Sequence, residues 1–199
     1  MIVVYGASGH GKVVASAAHS KGLEIAYFLD DDITFHTFQG FDVIHDKQDF
    51  ISIPLFIAIG NNRIRKKIVD THSFEYSEAI VDFTAIIRSS SIIGNGTLVA
   101  ARAVVNPDAQ IGAHVIINTA AVIEHDCILE DFVHISPNAT LSGNVLVGEG
   151  THIGSGAVVI PGVKIGKWCT IGAGAVIIKD VPNHATIVGN PGTIIKINV

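Results

Sequence analysis

Only two cysteines, Cys127 and Cys169, occur in 199 residues. Two thiols cannot build a disulfide framework, and they suit a reducing compartment. Charged residues are scarce at 16%, and the net charge is −5 with a pI near 6.0. That balance excludes a nucleic-acid-binding surface as the main function. No 18-residue apolar stretch is present, so no membrane span is expected. The start, Met1-Ile2-Val3-Val4-Tyr5-Gly6, lacks the basic segment and cleavage site of a secretory signal. The expected location is therefore the cytoplasm. Aromatic residues make up only 7%, against twenty glycines and a hydrophobic content of 48%. Disorder is excluded by that apolar content, and the composition points to many tight turns around small side chains.

An internal repeat decides the architecture. From Val81 to Ile177, every sixth residue is Ile, Leu or Val, seventeen times without a slip. Four residues after each one stands a small or β-branched side chain, from Ala85 through Cys127 and Cys169 to Val181. Chance would give seventeen aliphatic residues in a row with a frequency on the order of 10⁻¹⁰. The pattern reads as a coil of short parallel strands over residues 81–182, each burying one large and one small side chain. Three hexapeptides make one triangular coil, so 18 residues return the chain to the same edge, and successive coils rise by about 4.8 Å. Gly94, Gly112, Gly148, Gly154, Gly166 and Gly172 follow the aliphatic residue, where positive φ at a corner is expected. Pro107, Pro137 and Pro161 fall one step further, at a turn position. Both cysteines take the small inward position and read as core thiols.

Residues 1–76 are a different unit. Ile2 to Tyr5 reads as a buried strand, Lys12 to Lys21 as a helix, Ile25 to Leu29 and Leu55 to Ile59 as strands, and Arg63 to Asp70 as a helix. This is an α/β unit with a parallel sheet, whose strand C-termini are where such sheets bind ligands. Its turn, Gly6-Ala7-Ser8-Gly9-His10-Gly11, is Gly-x-x-Gly-x-Gly and does not meet the dinucleotide fingerprint. It reads either as a phosphate site at a helix N-terminus or as a tight turn without a ligand. Asp30 and Asp31 read either as ligand-orienting carboxylates or as a solvated loop.

Both units together resemble one family, the sialic-acid O-acetyltransferase-like sugar acyltransferases with hexapeptide repeats. The residues that carry the resemblance are Tyr5 to Gly11, Phe28 to Asp31, Phe56 to Asn62, Ile64 to Ile68, Ile117 to Cys127, Phe132 to Ser136 and Gly143 to Val145, with Val188 to Gly192 at the tail. The chain is most similar to the branch that N-acetylates UDP-4-amino sugars of the bacillosamine type. The resemblance implies a Rossmann-like nucleotide-sugar domain over 1–76 and a left-handed parallel β-helix over 77–199. It implies a homotrimer with acetyl-CoA between adjacent β-helices, and a UDP-4-amino-4,6-dideoxy-N-acetyl hexose as acceptor, giving a UDP-2,4-diacetamido-2,4,6-trideoxyhexose. It places the catalytic base at His125 with Asp126 behind it, where the family carries Glu. It places acetyl-CoA contacts at His134, Gly143, Ser155 and Ala173. It places the UDP-sugar at Ser8, Gly9, His10, Asp30, Asp31, Gly60 and Arg63. It implies no metal.

The chemistry needs such residues. An amine attacking a thioester must lose a proton, which a histidine of near-neutral pKa can take. A carboxylate on the other ring nitrogen fixes the tautomer and raises the pKa. Glu124 competes with Asp126 for that role. By the period alone, His125 stands at a corner and Gly143 directly one coil above, leaving space and an N–H for the thioester. His134 stands outward, with His152 stacked over it; His114 and His152 read as structural or trimer-interface residues. Rival readings are a sugar or sialic-acid O-acetyltransferase, a dTDP-amino-sugar N-acetyltransferase, and a zinc enzyme like γ-class carbonic anhydrase drawing on His114, His125, His134 and His152.

Overall fold

The computed structural model describes residues 1–34, 36–45 and 53–198 of the chain. Its first part runs β1 (Ile2–Tyr5), α1 (Gly9–Ser20), β2 (Ile25–Leu29), β3 (Thr37–Phe38), β4 (Phe41–Ile44), β5 (Leu55–Ile57) and α2 (Asn62–Thr71). The strand order is β3-β4-β2-β1-β5, parallel except for the β3–β4 pair. β2 and β4 lie on one side of β1 and β5 on the other, so the crevice at the C-terminal end of β1 is a topological switch point. Every residue of β1 is buried, as a central parallel strand covered on both faces requires.

Two boundaries differ from the sequence expectation by more than one residue. α1 begins at Gly9 instead of Lys12, because Gly6 completes the turn alone at φ 123° and extended Ser8 already stands at the helix N-cap. What reads as a glycine-rich loop is thus partly the first turn of α1. β5 ends at Ile57, two residues early, and the Ile59 carbonyl turns away to accept from Arg65 Nη1 at 2.8 Å.

The second part is a parallel β-helix of the left-handed hexapeptide type. Seventeen two-residue strands follow at six-residue intervals, from Ile80–Val81 to Val176–Ile177. Partners are 18 residues apart throughout, as in Val104↔Val122 and His134↔His152. Three flat faces result. Face 1 holds the strands at 80–81, 98–99, 116–117, 134–135, 152–153 and 170–171; it is extended by Ala185–Val188 and the antiparallel Thr193–Ile197. Face 2 starts at Ile86–Ile87 and face 3 at Ile92–Ile93. From Val99 to Ile177 all the inward aliphatic residues are buried, and from Thr97 to Val181 so are the small ones, Cys127 and Cys169 included. Each such aliphatic side chain contributes about 1.5–3 kcal/mol by leaving water.

The turn chemistry differs from the expectation. Positive φ does not fall on the glycines after the aliphatic residue. It falls two positions later, at 96, 102, 108 and every sixth residue to 174. Arg102, Asp126, Phe132 and Trp168 all adopt it, near φ 60°. The strain is offset by regular bonds to the coil below, such as Phe132 N–H to Ala113 O at 3.0 Å and Trp168 N–H to Glu149 O at 2.8 Å. The glycines at 94, 148 and 154 answer to close approach instead. A Cβ there would stand 2.6–2.7 Å from the backbone of the next coil. Pro107 and Pro161 do precede the positive-φ residue, the place Pro favours in a type II turn.

The first part sits on face 1. Outward residues Ile80, Leu98 and Ile116 are 0–2% exposed and share a core with Ile2, Val4, Val14, Phe28 and Phe56. Ser20 Oγ donates to Asp82 Oδ2 at 2.8 Å at the start of the β-helix. Among the described residues no helix is long and apolar enough to cross a membrane.

Candidate active site

The corner between faces 2 and 3 carries His125. The left-handed conformation of Asp126, φ 60°, turns its carboxylate back onto the preceding ring, and His125 Nδ1 donates to Asp126 Oδ2 at 2.7 Å. Nε2 is thereby left as the acceptor. The bond to Asp126 raises the imidazole above its ordinary value, with smaller charge contributions from Asp126 and Glu124. Asp126, not Glu124, is the carboxylate on the ring. Both partners are open, His125 being 61% and Asp126 57% exposed.

Gly143 lies one coil above, as the period requires, but the space it leaves is already filled. A Cβ at Gly143 would stand 2.6 Å from His125 Cε1 and 2.7 Å from Nε2. The ring itself leans over the glycine. Ser155 and Ala173 stack on a different corner, between faces 1 and 2, where Gly174 N–H donates to Ser155 O at 2.9 Å.

His134 is on face 1, opposite the corner of His125, and is half-buried beneath the first part of the chain. Its Nδ1 donates to Gly60 O at 3.3 Å, and Asn118 Nδ2 donates to its Nε2 at 3.3 Å. His152 stacks on it at 4.8 Å and shares a 2.7 Å hydrogen bond with Ser136 Oγ. His10, in the first turn of α1, stands 6.3 Å from His134, and its Nε2 is buried without a hydrogen-bond partner among the described residues. Burial first, then neighbouring positive charge, lowers His10 to about 4 and His134 to about 3. These two rings are neutral at pH 7.

The remaining expected residues line the strand C-termini. Asp30 takes the Ala7 N–H at 2.6 Å and the Asp32 N–H at 2.9 Å, so it holds the loop after β1 in place. Asp31 accepts from Tyr5 OH at 2.8 Å. Tyr5, Asp30, Asp31, Ile59 and Lys67 line one cleft of about 470 Å³. Ser8 makes no side-chain cap, which leaves its hydroxyl at the mouth of α1. Arg63 lies over the Trp168 ring at 4.7 Å, beside a polar cleft of about 240 Å³ that also includes Gly60, Asn61 and His152. A larger cleft of about 610 Å³ behind α1 is lined by Lys12, His19, Leu23 and Phe41 and by none of the expected residues.

One chain therefore gathers two groups. His10, Gly60, Arg63, His134 and His152 meet where the first part covers face 1. His125, Asp126 and Gly143 stand apart on the far corner. Among the described residues no group of three or more His, Cys, Asp or Glu side chains is close enough to hold a metal ion.

Sequence reasoning missed Arg65, Asn62 and Asn118. Arg65 is 1% exposed, and its guanidinium reaches five acceptors: His114 O at 2.8 Å, Ile59 O at 2.8 Å, Gly60 O at 3.5 Å, Asn62 Oδ1 at 3.0 Å and Phe132 O at 2.8 Å. Burial pulls its pKa down to about 9, which still leaves it charged at pH 7. That charge helps lower His10, His114, His134 and His152. No sequence signal separates it from Arg63, Lys66 and Lys67 on the same helix.

Comparisons with known proteins follow this division. The PglD N-terminal domain family matches residues 1–72, and the bacterial transferase hexapeptide family (six repeats) matches residues 144–179. The acetyltransferase domain of PglB from Neisseria gonorrhoeae FA1090, solved in complex with acetyl coenzyme A, superposes with a TM-score of 0.92 at 41% identity, covering 98% of each chain. PerB from Caulobacter crescentus, solved with CoA and GDP-perosamine, gives 0.91 at 36% identity over 97% of this chain and 96% of that one. The UDP-N-acetylbacillosamine N-acetyltransferase of Bacillus subtilis (strain 168) is 40% identical over 112 residues, 50% of this chain and 51% of that protein. The match thus spans about half the length, or less, of the curated relatives.

Proposed function

This chain belongs to the hexapeptide-repeat sugar acyltransferases that carry a PglD-type N-terminal domain, and from that premise we propose that it moves acetyl from acetyl-CoA to the 4-amino group of a nucleotide-linked 4-amino-4,6-dideoxy sugar, with UDP as the carrier. The observation that carries this reading is the His125–Asp126 pair, with Nδ1 held at 2.7 Å and Nε2 free. The amine attacks the thioester carbonyl as His125 Nε2 takes its proton. The C–N bond forms, the C–S bond breaks, and the proton passes to the departing CoA thiolate. Among the described residues no backbone carbonyl takes the Gly143 N–H, which makes it the candidate donor to the oxyanion.

Residues 1–76 serve as the acceptor-binding unit, through Ser8, Gly9, His10, Asp30, Asp31, Gly60 and Arg63. Residues 77–199 serve the acetyl donor, through His134, Gly143, Ser155 and Ala173. Because these groups lie on different corners and faces of one β-helix, the complete site joins at least two copies of the chain, and the family resemblance makes that assembly a homotrimer. A neighbouring copy would also cover the exposed His125. Both substrates are soluble metabolites, and the reaction belongs in the cytoplasm.

The test is free-CoA release with a panel of acceptors: UDP-4-amino-4,6-dideoxy-N-acetylglucosamine, its C4 epimer, dTDP- and GDP-linked 4-amino sugars, and free sialic acid. Fast release with a UDP sugar alone supports the full reading. Preference for GDP or dTDP keeps the mechanism and replaces the carrier. Turnover of sialic acid alone would replace N- with O-acetylation.

A further inference from the structure

The β-helix repeats itself every coil, so the corner between faces 3 and 1 offers nearly the same backbone at each level. That corner passes through His114, Phe132, Gly150 and Trp168, all at positive φ. At corners open to water the carbonyls of such residues need no partner in the chain. Here α2 covers them, and a buried carbonyl left unpaired is costly. Three successive levels are met by two side chains of α2. Arg65 takes His114 O through Nε and Phe132 O through Nη2, and Asn62 Nδ2 takes Gly150 O at 3.0 Å. Lys66 lies 5.2 Å from the centre of the Phe132 ring, and Arg63 stands over Trp168. Through Nη1 the same guanidinium holds Ile59 O and Gly60 O, and Gly60 O also receives His134 Nδ1.

We propose that Arg65 is a positioning residue for the acceptor: one guanidinium, bonded both to the Ile59–Gly60 turn and to two successive corner carbonyls, sets the height of the nucleotide-sugar loops along the β-helix. A slip by one coil would move those loops by about 4.8 Å relative to His134 and the acetyl donor, enough to abolish reaction geometry. None of the acceptors is a carboxylate, so the buried charge is not there as half of an ion pair. Burying it is expensive, and an apolar side chain of similar volume would often be as stable. What it supplies is directional: a planar fork with five donors in fixed geometry, which lysine cannot reproduce.

The inference rests on the function proposed above, so wild-type turnover of a panel sugar is measured first. Arg65→Met and Arg65→Lys are then compared in the full chain by steady-state kinetics, by acetyl-CoA affinity in calorimetry, and by hydrogen exchange. For Arg65→Met we expect the nucleotide-sugar KM to rise about tenfold or more and kcat to fall, with acetyl-CoA affinity within about twofold of wild type. Amides of residues 59–71 should exchange faster while the β-helix interior stays protected. Arg65→Lys should fall between Arg65→Met and wild type, and it carries the test if Arg65→Met does not fold. KM and kcat within about twofold of wild type in the folded variant, whatever its melting temperature, would overturn the proposal. If no panel sugar is turned over, the functional reading fails separately, and unchanged exchange over 59–71 is then the result that overturns the role of Arg65.

Discussion

The His125 ring leans over Gly143, so closely that a single methyl at that glycine would stand 2.6 Å from Cε1. Gly143 therefore acts first on the His125 ring: it provides the room the imidazole occupies while Asp126 holds its Nδ1. A larger residue there displaces the ring before it touches any thioester.

Replacement of His125 by Ala should lower kcat by at least about 10²-fold, the scale of losing a general base. Acetyl-CoA affinity should stay close to wild type. Free-CoA release under saturating substrates is the measurement, and near-wild-type kcat would remove His125 from the mechanism.

The pH profile should carry the signature of Asp126. The base must be neutral to accept a proton, so kcat/KM should fall as pH drops through the pKa of His125. Since the bond to Asp126 raises that pKa, the acidic limb should lie above the ordinary histidine value of 6.5. Asp126→Asn removes the cause, and its limb should move to lower pH with a reduced plateau. A limb that stays where it was would assign the titration to another group.

Gly143→Ala separates the two readings of that glycine. If its role is to seat the imidazole, kcat falls about tenfold or more while acetyl-CoA binds as before. Loss of acetyl-CoA binding with kcat unchanged at saturation would return the glycine to the donor groove alone.

Thr151→Val tests the β-helix itself. Thr151 occupies a small inward position, fully buried, where its Oγ1 donates to Gly166 O at 2.7 Å and accepts from Cys169 N–H at 2.9 Å. Thr97 does the same with Gly112 O and Val115 N–H, three coils below. Valine keeps the shape and orphans both backbone groups, so urea unfolding should show a loss of ~1–3 kcal/mol. An unchanged midpoint would mean that the coil re-pairs those groups without the hydroxyl.

The solenoid was legible because its cause is local and periodic. Val99, Val105 and Ile111 recur every six residues because each coil must bury one large and one small side chain, and residue spacing alone records that demand. The same period placed Gly143 over His125 and His152 over His134. It could not say which corners bend through positive φ. Phe132 and Trp168 avoid that conformation by preference and adopt it because the coil beneath supplies a carbonyl for each N–H. Nor does the period distinguish an outward residue in water from one under another unit. His125 and His134 both point away from the coil axis, yet one is open and the other is covered by the Gly60 loop and held neutral. Arg65 was beyond reach for the same reason. Its partners lie 49 and 67 residues away at His114 and Phe132, and only the docking of α2 along that corner brings them to one guanidinium. Sequence alone determined what the repeat buries; the docking of the N-terminal unit on one face decided which histidines are covered, which carbonyls need a cation, and which corner stays open.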